Sequence, residues 1–181
     1  PASLPLAVSI GEPAGIGPDV ILTAWDKSRH GNVDKLPPFI LLCDVEHLST
    51  RARILNLDIP LTICSTHNEI AMACTPGEFS TSLPVYPLQN SLNAEPGAPS
   101  IDDAKGVVEA ITTSVDFIRS GRASGMATLP INKKSLHNAG FEFPGHTEYL
   151  GHLARQTDKS ACPVMMLAGP KLRVIPVTIH I

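Results

Sequence analysis

Charged residues, aromatic residues and long apolar runs are all scarce in this chain of 181 residues. Only 17% of the residues are charged and the formal net charge is −3, so no broad cationic surface can neutralise a nucleic-acid backbone or coat an anionic membrane. No apolar run approaches the ~20 residues that span a bilayer. Pro5 and Gly11 bound the short run Leu6–Ile10, which does not match a signal peptide. We therefore expect a cytoplasmic protein whose partners include neither nucleic acid nor membrane.

The four cysteines lack the C-x-x-C spacing that is typical of zinc sites, and each is flanked by aliphatic residues. They are Cys43, Cys64, Cys74 and Cys162. The chain is also too long to need disulfides for its stability. We expect four reduced and buried thiols, in keeping with the cytoplasmic assignment.

The first half of the chain alternates between predicted strands and helices. The run Leu6–Ile10 ends in a glycine-rich loop, and Pro18 stands at a favourable first helical position. A second strand over Phe39–Cys43 precedes Asp44, which is a typical helix cap, and a third strand is predicted over Leu61–Cys64. This βαβ order favours an α/β fold with a parallel sheet.

Five prolines between Thr75 and Pro99 predict a surface excursion with at most short edge strands such as Leu83–Tyr86. Ser100 and Asp103 then have the spacing of a capping box ahead of a long amphipathic helix that ends at Gly121.

The pattern changes near residue 130, where we place a boundary between a first domain, 1–129, and the start of a second, 130–181. A short strand over Met126–Leu129 precedes two helices and an apolar hairpin. The final residues Thr178–Ile181 contain no turn or cap, so we expect this chain to be the amino-terminal part of a longer protein.

The glycine-rich loop Gly11–Asp19 is the first candidate site, because amides at a helix start can bind an anion. Its spacing departs from G-x-G-x-x-G, and no G-K-[ST] follows. The alternative, that the glycines serve only a tight turn, is equally favoured.

Lys133 follows a predicted buried strand, at the sheet edge where α/β proteins bind ligands. It is a candidate contact for a small anionic substrate, whereas a solvated pair with Lys134 is the simpler interpretation. His146 and Thr147 begin another helix, where they can hold a phosphorylated substrate or serve only as a capping arrangement.

His180 follows an apolar strand and can bind a metal, although one histidine does not make a metal site. A histidine at the edge of the core is the simpler alternative. Four other histidines have no identifiable partner and are expected at the surface, namely His30, His47, His67 and His137.

Together these segments resemble the 4-hydroxythreonine-4-phosphate dehydrogenase family of vitamin B6 biosynthesis. The matching segments read GEPAGIGPD at Gly11–Asp19, LPINK at Leu129–Lys133, GHTEYL at Gly145–Leu150 and LRVIPVTIH at Leu172–His180. The resemblance implies a three-layer α/β/α fold of two domains, similar to isocitrate and isopropylmalate dehydrogenases and here incomplete. It also implies a homodimer.

The resemblance further implies an NAD-dependent oxidation, assisted by a divalent metal (Zn, Co or Mg) and followed by decarboxylation. It assigns substrate binding to His146 and Thr147, one of three metal ligands to His180, and a substrate-side position to Lys133, whose catalytic role is inferred from position alone. The implied substrate is 4-phosphohydroxy-L-threonine, and the NAD contacts remain unknown.

Two alternatives remain open. A related enzyme can act on 4-phospho-D-threonate or a similar phosphorylated sugar acid with the same motifs. Alternatively, this chain is a non-catalytic fragment. The resemblance implies three metal-binding histidines, of which this sequence contains only His180, so we expect little or no dehydrogenase activity from the chain alone.

Overall fold

Five parallel strands form one sheet in a computed structural model that describes residues 4–177. The order across the sheet is β3-β4-β2-β1-β5. The strands are β1 (Leu6–Ser9), β2 (Phe39–Cys43), β3 (Leu61–Ile63), β4 (Leu83–Pro87) and β5 (Gly125–Thr128). The helices of this part of the chain are α1 (Gly17–Arg29), α2 (Val45–Ile54), α3 (His67–Ala73), α4 (Pro76–Thr81), α5 (Ala104–Arg119) and α6 (Lys133–Asn138).

The direction of the crossovers places helices on both faces of the sheet. The chain passes from β1 through α1 to β2 in one direction and from β4 through α5 to β5 in the other. Because such crossovers are right-handed, α1 and α5 lie on opposite faces. The predicted three-layer α/β/α class is therefore confirmed, and the direction of strand addition reverses between β1 and β5.

Short-range signals explain where several helices begin. The Asp44 side chain accepts hydrogen bonds from the amides of Glu46 and His47 and so caps α2 as predicted. Thr66 and Glu69 form a capping box at α3 that was not predicted. The first of the two helices predicted after Leu129 is confirmed as α6, and the Asn132 side chain caps it by accepting from the Ser135 amide.

The prediction of only edge strands between residues 75 and 99 was wrong, because β4 lies inside the sheet between β3 and β2. Its two prolines interrupt few hydrogen bonds. The Leu88 amide donates to the Cys43 carbonyl, so the backbone N–H positions of residues 84, 86 and 88 point toward β2. The register between β4 and β2 begins only at Val85, one residue after Pro84. Pro87 faces β3 beyond the last paired residue of that strand, Ile63. Each proline therefore lacks its N–H on the side where it has no paired residue, which is the β2 side for Pro84 and the β3 side for Pro87.

The predicted start of α5 was also wrong. The helix begins at Ala104, and Asp103 does not cap it with its side chain. That carboxylate accepts instead from the amides of Asn93 and Ala94, at 2.8 and 2.9 Å. A tertiary contact has therefore replaced the capping box that the spacing of Ser100 and Asp103 indicated.

The main core lies between the sheet and its helices. Trp25 of α1 is buried and donates a hydrogen bond from Nε1 to the Phe79 carbonyl of α4. On α5, Phe117 packs edge-on against Tyr86, with ring centroids 5.0 Å apart. A fully buried side chain of this kind stabilises the fold by about 1.5–3 kcal/mol.

Three of the four cysteines match the sequence prediction. Cys43, Cys64 and Cys74 are buried free thiols, but Cys162 is exposed, so the prediction was wrong there. Burial raises the pKa of Cys43 well above its ordinary value and that of Cys74 to about 12, which keeps both thiols protonated and unreactive.

The chain divides after Phe141 into two compact units, later than the predicted domain boundary after Leu129. The reason is that α6 packs into the first unit, where Leu136 contacts Ala104 and Val107. The second unit contains α7 (His146–Arg155) and the antiparallel strands β6 (Leu167–Ala168) and β7 (Arg173–Val174). None of the helices between residues 4 and 177 has the length and apolar character needed to cross a membrane.

Candidate functional site

Two of the predicted site segments meet at the carboxyl edge of the sheet in the first unit. The Glu12 amide donates a hydrogen bond of 2.7 Å to the Pro130 carbonyl oxygen. This contact joins the loop after β1 to the segment after β5, on either side of the point where the strand order reverses. Ligands of open α/β sheets commonly bind at this position.

Two glycines permit this contact. Gly11 has φ +71°, and a Cβ atom there would lie 2.5 Å from the Pro130 oxygen. A Cβ atom on Gly17 would lie 3.0 Å from Cβ of Leu129. The packing of the chain on itself therefore accounts for these two glycines, which favours the turn interpretation of the loop over the anion-site interpretation.

Helix α2 holds the same loop through two buried side chains. Arg51 donates from Nη2 to the Gly15 carbonyl and pairs through Nε with the Asp19 carboxylate. The buried imidazole of His47, one turn earlier, lies against the Pro13 carbonyl. The two residues are four apart, so they lie on one face of the helix.

The loop also carries a buried carboxylate. Glu12 is 8% exposed and accepts a hydrogen bond of 3.1 Å from the Ala14 amide. Burial raises the pKa of Glu12 and the charge of Asp103 raises it further, whereas the Ala14 amide opposes the shift. The pKa of His47 is lowered, mainly because its imidazole is buried.

A cavity of about 580 Å³ opens beside this cluster, between α2 and the segment Ser91–Pro96. Its volume is in the range of small-molecule sites. Asp44 lines it and also accepts from the Leu92 amide at 3.1 Å. The Gly97 amide donates to the Ala14 carbonyl, so the same segment is tied to the glycine-rich loop.

Lys133 is the first residue of α6 and its side chain is exposed. It forms no hydrogen bond or ion pair with any residue in the described part of the chain. Its ammonium group is therefore available to an anion, and its role as a ligand contact stays a prediction.

His146 and Thr147 are the first two residues of α7 in the second unit, and both are half-buried. Gly145 precedes them in an extended conformation, and no side chain caps the helix. The first-turn amides of α7 therefore lack the usual side-chain acceptor and favour negative charge.

An aromatic cluster orders the start of α7. The ring centroid of Phe143 lies 4.9 Å from that of Tyr149 and 5.0 Å from that of His152. Gly151 lies between Tyr149 and His152 in the sequence. A Cβ atom on Gly151 would lie only 3.0 Å from Cγ of Pro163, so the absence of a side chain leaves space for that proline. Local packing therefore orders the helix on which His146 and Thr147 lie.

The predicted metal ligand His180 lies outside the described residues. Between residues 4 and 177, no group of three or more His, Cys, Asp or Glu side chains is arranged to hold a metal ion. The described residues thus do not by themselves fit a metal site, and the assignment of His180 stays a prediction.

The cluster of Glu12, His47 and Arg51 at the glycine-rich loop was not predicted from the sequence. His47 was expected at the surface but is buried, because the loop and the segment 91–97 cover this end of α2. The four-residue spacing of His47 and Arg51 places both on one face of α2 and could have suggested a shared role. The spacing does not indicate that a loop distant in sequence covers them.

Comparison with known proteins gives a consistent result. The family model described as pyridoxal phosphate biosynthetic protein PdxA matches residues 34–181. A 4-hydroxythreonine-4-phosphate dehydrogenase of Bradyrhizobium diazoefficiens is 40% identical over 99% of this chain and 52% of its own length. One from Methylorubrum populi is 42% identical over 98% of this chain and 49% of its own length. The chain thus spans about half the length of the curated relatives it matches.

Solved structures show the same likeness. The crystal structure of 4-hydroxythreonine-4-phosphate dehydrogenase from Klebsiella pneumoniae is 26% identical, with a TM-score of 0.76 over 96% of this chain and 49% of its own. A terephthalate 1,2-cis-dihydrodiol dehydrogenase from Burkholderia xenovorans is 17% identical, with a TM-score of 0.67 over 96% of this chain and 47% of its own. The second likeness shows the fold alone.

Proposed function

Because this chain belongs to the PdxA family of pyridoxal phosphate biosynthetic proteins, we propose that it is the substrate-binding part of an NAD-dependent 4-hydroxythreonine-4-phosphate dehydrogenase. The observation that carries the proposal is the start of α7. There, helix amides without a side-chain cap stand beside His146 and Thr147, in a segment that the family model covers.

Each of these groups suits a phosphorylated hydroxy amino acid. The first-turn amides of α7 and the Thr147 hydroxyl donate to phosphate oxygens, and each charge-assisted hydrogen bond contributes about 1.5–3 kcal/mol. The His146 imidazole orients the substrate beside them. For Lys133, in the first unit, the family resemblance separately suggests a role as an anion contact or as a proton donor.

The proposed oxidation depends on a nicotinamide cofactor and a divalent cation. When bound, a nicotinamide would supply a hydride acceptor and a divalent cation would supply charge stabilisation at the substrate oxygen. We assign His180 as one ligand of that cation on the strength of the family resemblance. The proposal also includes a homodimer, because the family resemblance implies one.

Titration calorimetry with 4-phosphohydroxy-L-threonine tests the proposal. Replacing Thr147 by Val removes one donor and is expected to weaken binding by about tenfold, in keeping with the loss of one charge-assisted hydrogen bond. Thr157→Val is the matched control, since Thr157 lies just beyond α7, is exposed and bonds only to the Ala154 carbonyl. Equal affinities of the two variants would reject the assignment.

A parallel titration with 4-phospho-D-threonate decides between the two substrates. Tighter binding of 4-phosphohydroxy-L-threonine supports the proposed activity. Exclusive binding of 4-phospho-D-threonate would instead assign this protein to the related dehydrogenases that act on phosphorylated sugar acids.

A further inference from the structure

We propose that Arg51 and His47 of α2 are positioning residues for Lys133, acting through the glycine-rich loop and the segment that follows β5. This inference rests on the proposed function, because it gives Lys133 a substrate to bind. It adds two buried residues of α2 to the machinery of the site.

Arg51 fixes the end of the glycine-rich loop that leads into α1. Its side chain is 4% exposed, and its guanidinium contacts the Gly15 carbonyl and the carboxylate of Asp19 at once. A planar guanidinium can hold two acceptors in one fixed geometry, which a lysine cannot reproduce. The loop is therefore anchored on both sides of the start of α1.

His47 fixes the part of the loop that precedes Gly15. Its ring is buried and lies against the Pro13 carbonyl, two residues before Gly15. Within the loop, the Gly15 amide donates to the Glu12 carbonyl at 3.0 Å, and the Ala14 amide donates to the Glu12 side chain. The contacts from α2 and within the loop thus set the position of the Glu12 backbone.

Glu12 transmits that position to the segment after β5. Its amide donates to the Pro130 carbonyl at 2.7 Å, and Gly11 packs directly on Leu129 and Pro130. Lys133 begins α6 only three residues after Pro130. Any shift of the loop therefore moves the backbone from which the Lys133 side chain projects.

The cost of this arrangement supports a role beyond stability. Within residues 4–141, the buried side-chain polar atoms without a hydrogen-bond partner are Ser9 Oγ, His47 Nε2 and Arg51 Nη1. All three belong to the last residue of β1 or to the face of α2 that holds the loop. Buried unsatisfied polar groups destabilise a fold, and such costs are typical of functional sites.

A double-mutant cycle tests the proposal, with titration calorimetry of 4-phosphohydroxy-L-threonine as the readout. Lys133→Ala is expected to weaken binding by about tenfold and Arg51→Lys by about fivefold. In the Lys133→Ala background, Arg51→Lys should weaken binding by less than about twofold, because its effect passes through Lys133. Equal effects in both backgrounds, or no effect in the wild-type background, would overturn the proposal.

Arg53→Lys is the matched control. Arg53 lies on the same helix, is exposed, and donates only to the Thr50 hydroxyl. Its replacement should leave affinity unchanged. If Arg51→Lys fails to fold, Asp19→Asn replaces it in the same cycle, since Asp19 is more exposed and its loss weakens the same anchor.

Amide hydrogen exchange separates failure of this inference from failure of the proposed function. Arg51→Lys should raise the exchange rate of the Glu12 amide at least about tenfold while leaving amides of the central strand β2 unchanged. This result does not depend on any substrate. Unchanged protection of Glu12 would overturn the proposal even if the wild-type chain binds substrate, whereas absence of substrate binding with altered protection would overturn only the function of Lys133.

Discussion

The thiol sulfur of Cys74 lies 3.7 Å from the carbonyl oxygen of Phe39, where the ladder between β2 and β4 lacks a donor. The Leu88 amide donates to Cys43, so residue 84 would face Phe39 in the same alternation. Residue 84 is a proline and has no N–H to donate. The thiol of Cys74 therefore compensates for Pro84 inside the sheet.

Replacing Cys74 by Val keeps the shape but leaves the Phe39 carbonyl without its donor. We expect a loss of about 1–2 kcal/mol of unfolding free energy. In a Pro84→Ala background a backbone N–H becomes available, and the same change should cost less than about 0.5 kcal/mol. Urea unfolding of the four proteins measures both values, and equal costs in the two backgrounds would show that the thiol does not serve this carbonyl.

Gly11 and Gly121 separate the cost of backbone conformation from the cost of steric overlap. Both have φ near +70°, but a Cβ atom on Gly121 meets no atom within 4 Å, whereas one on Gly11 would overlap Pro130. Gly121→Ala should lower the unfolding free energy by about 1 kcal/mol, and Gly11→Ala by about 3 kcal/mol or more. Similar losses for the two variants, measured by urea unfolding, would argue against close packing of the loop on the segment after β5.

Glu12 is expected to make stability fall as pH rises. Burial raises its pKa above the ordinary value of 4.5, so above pH 4.5 the folded state holds a proton that the unfolded state releases. Glu12→Gln cannot ionise but still accepts from the Ala14 amide. Its stability relative to wild type should therefore increase from pH 4.5 upward and level off above the raised pKa.

Urea unfolding between pH 4 and 8 measures this difference, and a difference that does not vary with pH would contradict it. His47→Gln provides a control of opposite sign. The pKa of His47 is lowered from 6.5, so below that pH the unfolded state binds more protons and wild type loses stability as pH falls. The glutamine variant should lack that loss.

Asp103 stabilises the segment that lines the cavity. It is 1% exposed and accepts from two backbone amides, those of Asn93 and Ala94. Asp103→Asn replaces one acceptor oxygen with a donor, which should cost about 1–3 kcal/mol. The adjacent Asp102 is exposed, so Asp102→Asn should change stability by less than about 0.5 kcal/mol. Thermal unfolding compares the two, and equal shifts would reject the role of Asp103.

Local signals predicted the elements of this fold better than its tertiary contacts. The strand Phe39–Cys43 and the cap at Asp44 were predicted correctly, because each depends on neighbouring residues. The place of β4 inside the sheet was missed, since two prolines argue against a central strand and only the register shows where their missing N–H groups fall.

The candidate site shows the same difference between local segments, which were predicted, and tertiary contacts, which were not. The segments that contain Lys133, His146 and Thr147 were identified from short motifs, and the structure places them at helix starts as expected. The cluster of Glu12, His47 and Arg51 was missed, because its members come together only when the loop folds over α2.

Titration of this chain with 4-phosphohydroxy-L-threonine and with unphosphorylated 4-hydroxy-L-threonine, side by side, tests the central claim most directly. The two ligands differ only in the phosphate that the start of α7 is proposed to hold. Saturable binding of the phosphorylated compound, at least about a hundredfold tighter than that of the other, is the expected result, from two or more charge-assisted hydrogen bonds. Equal binding of both compounds, or no binding of either, would contradict the account.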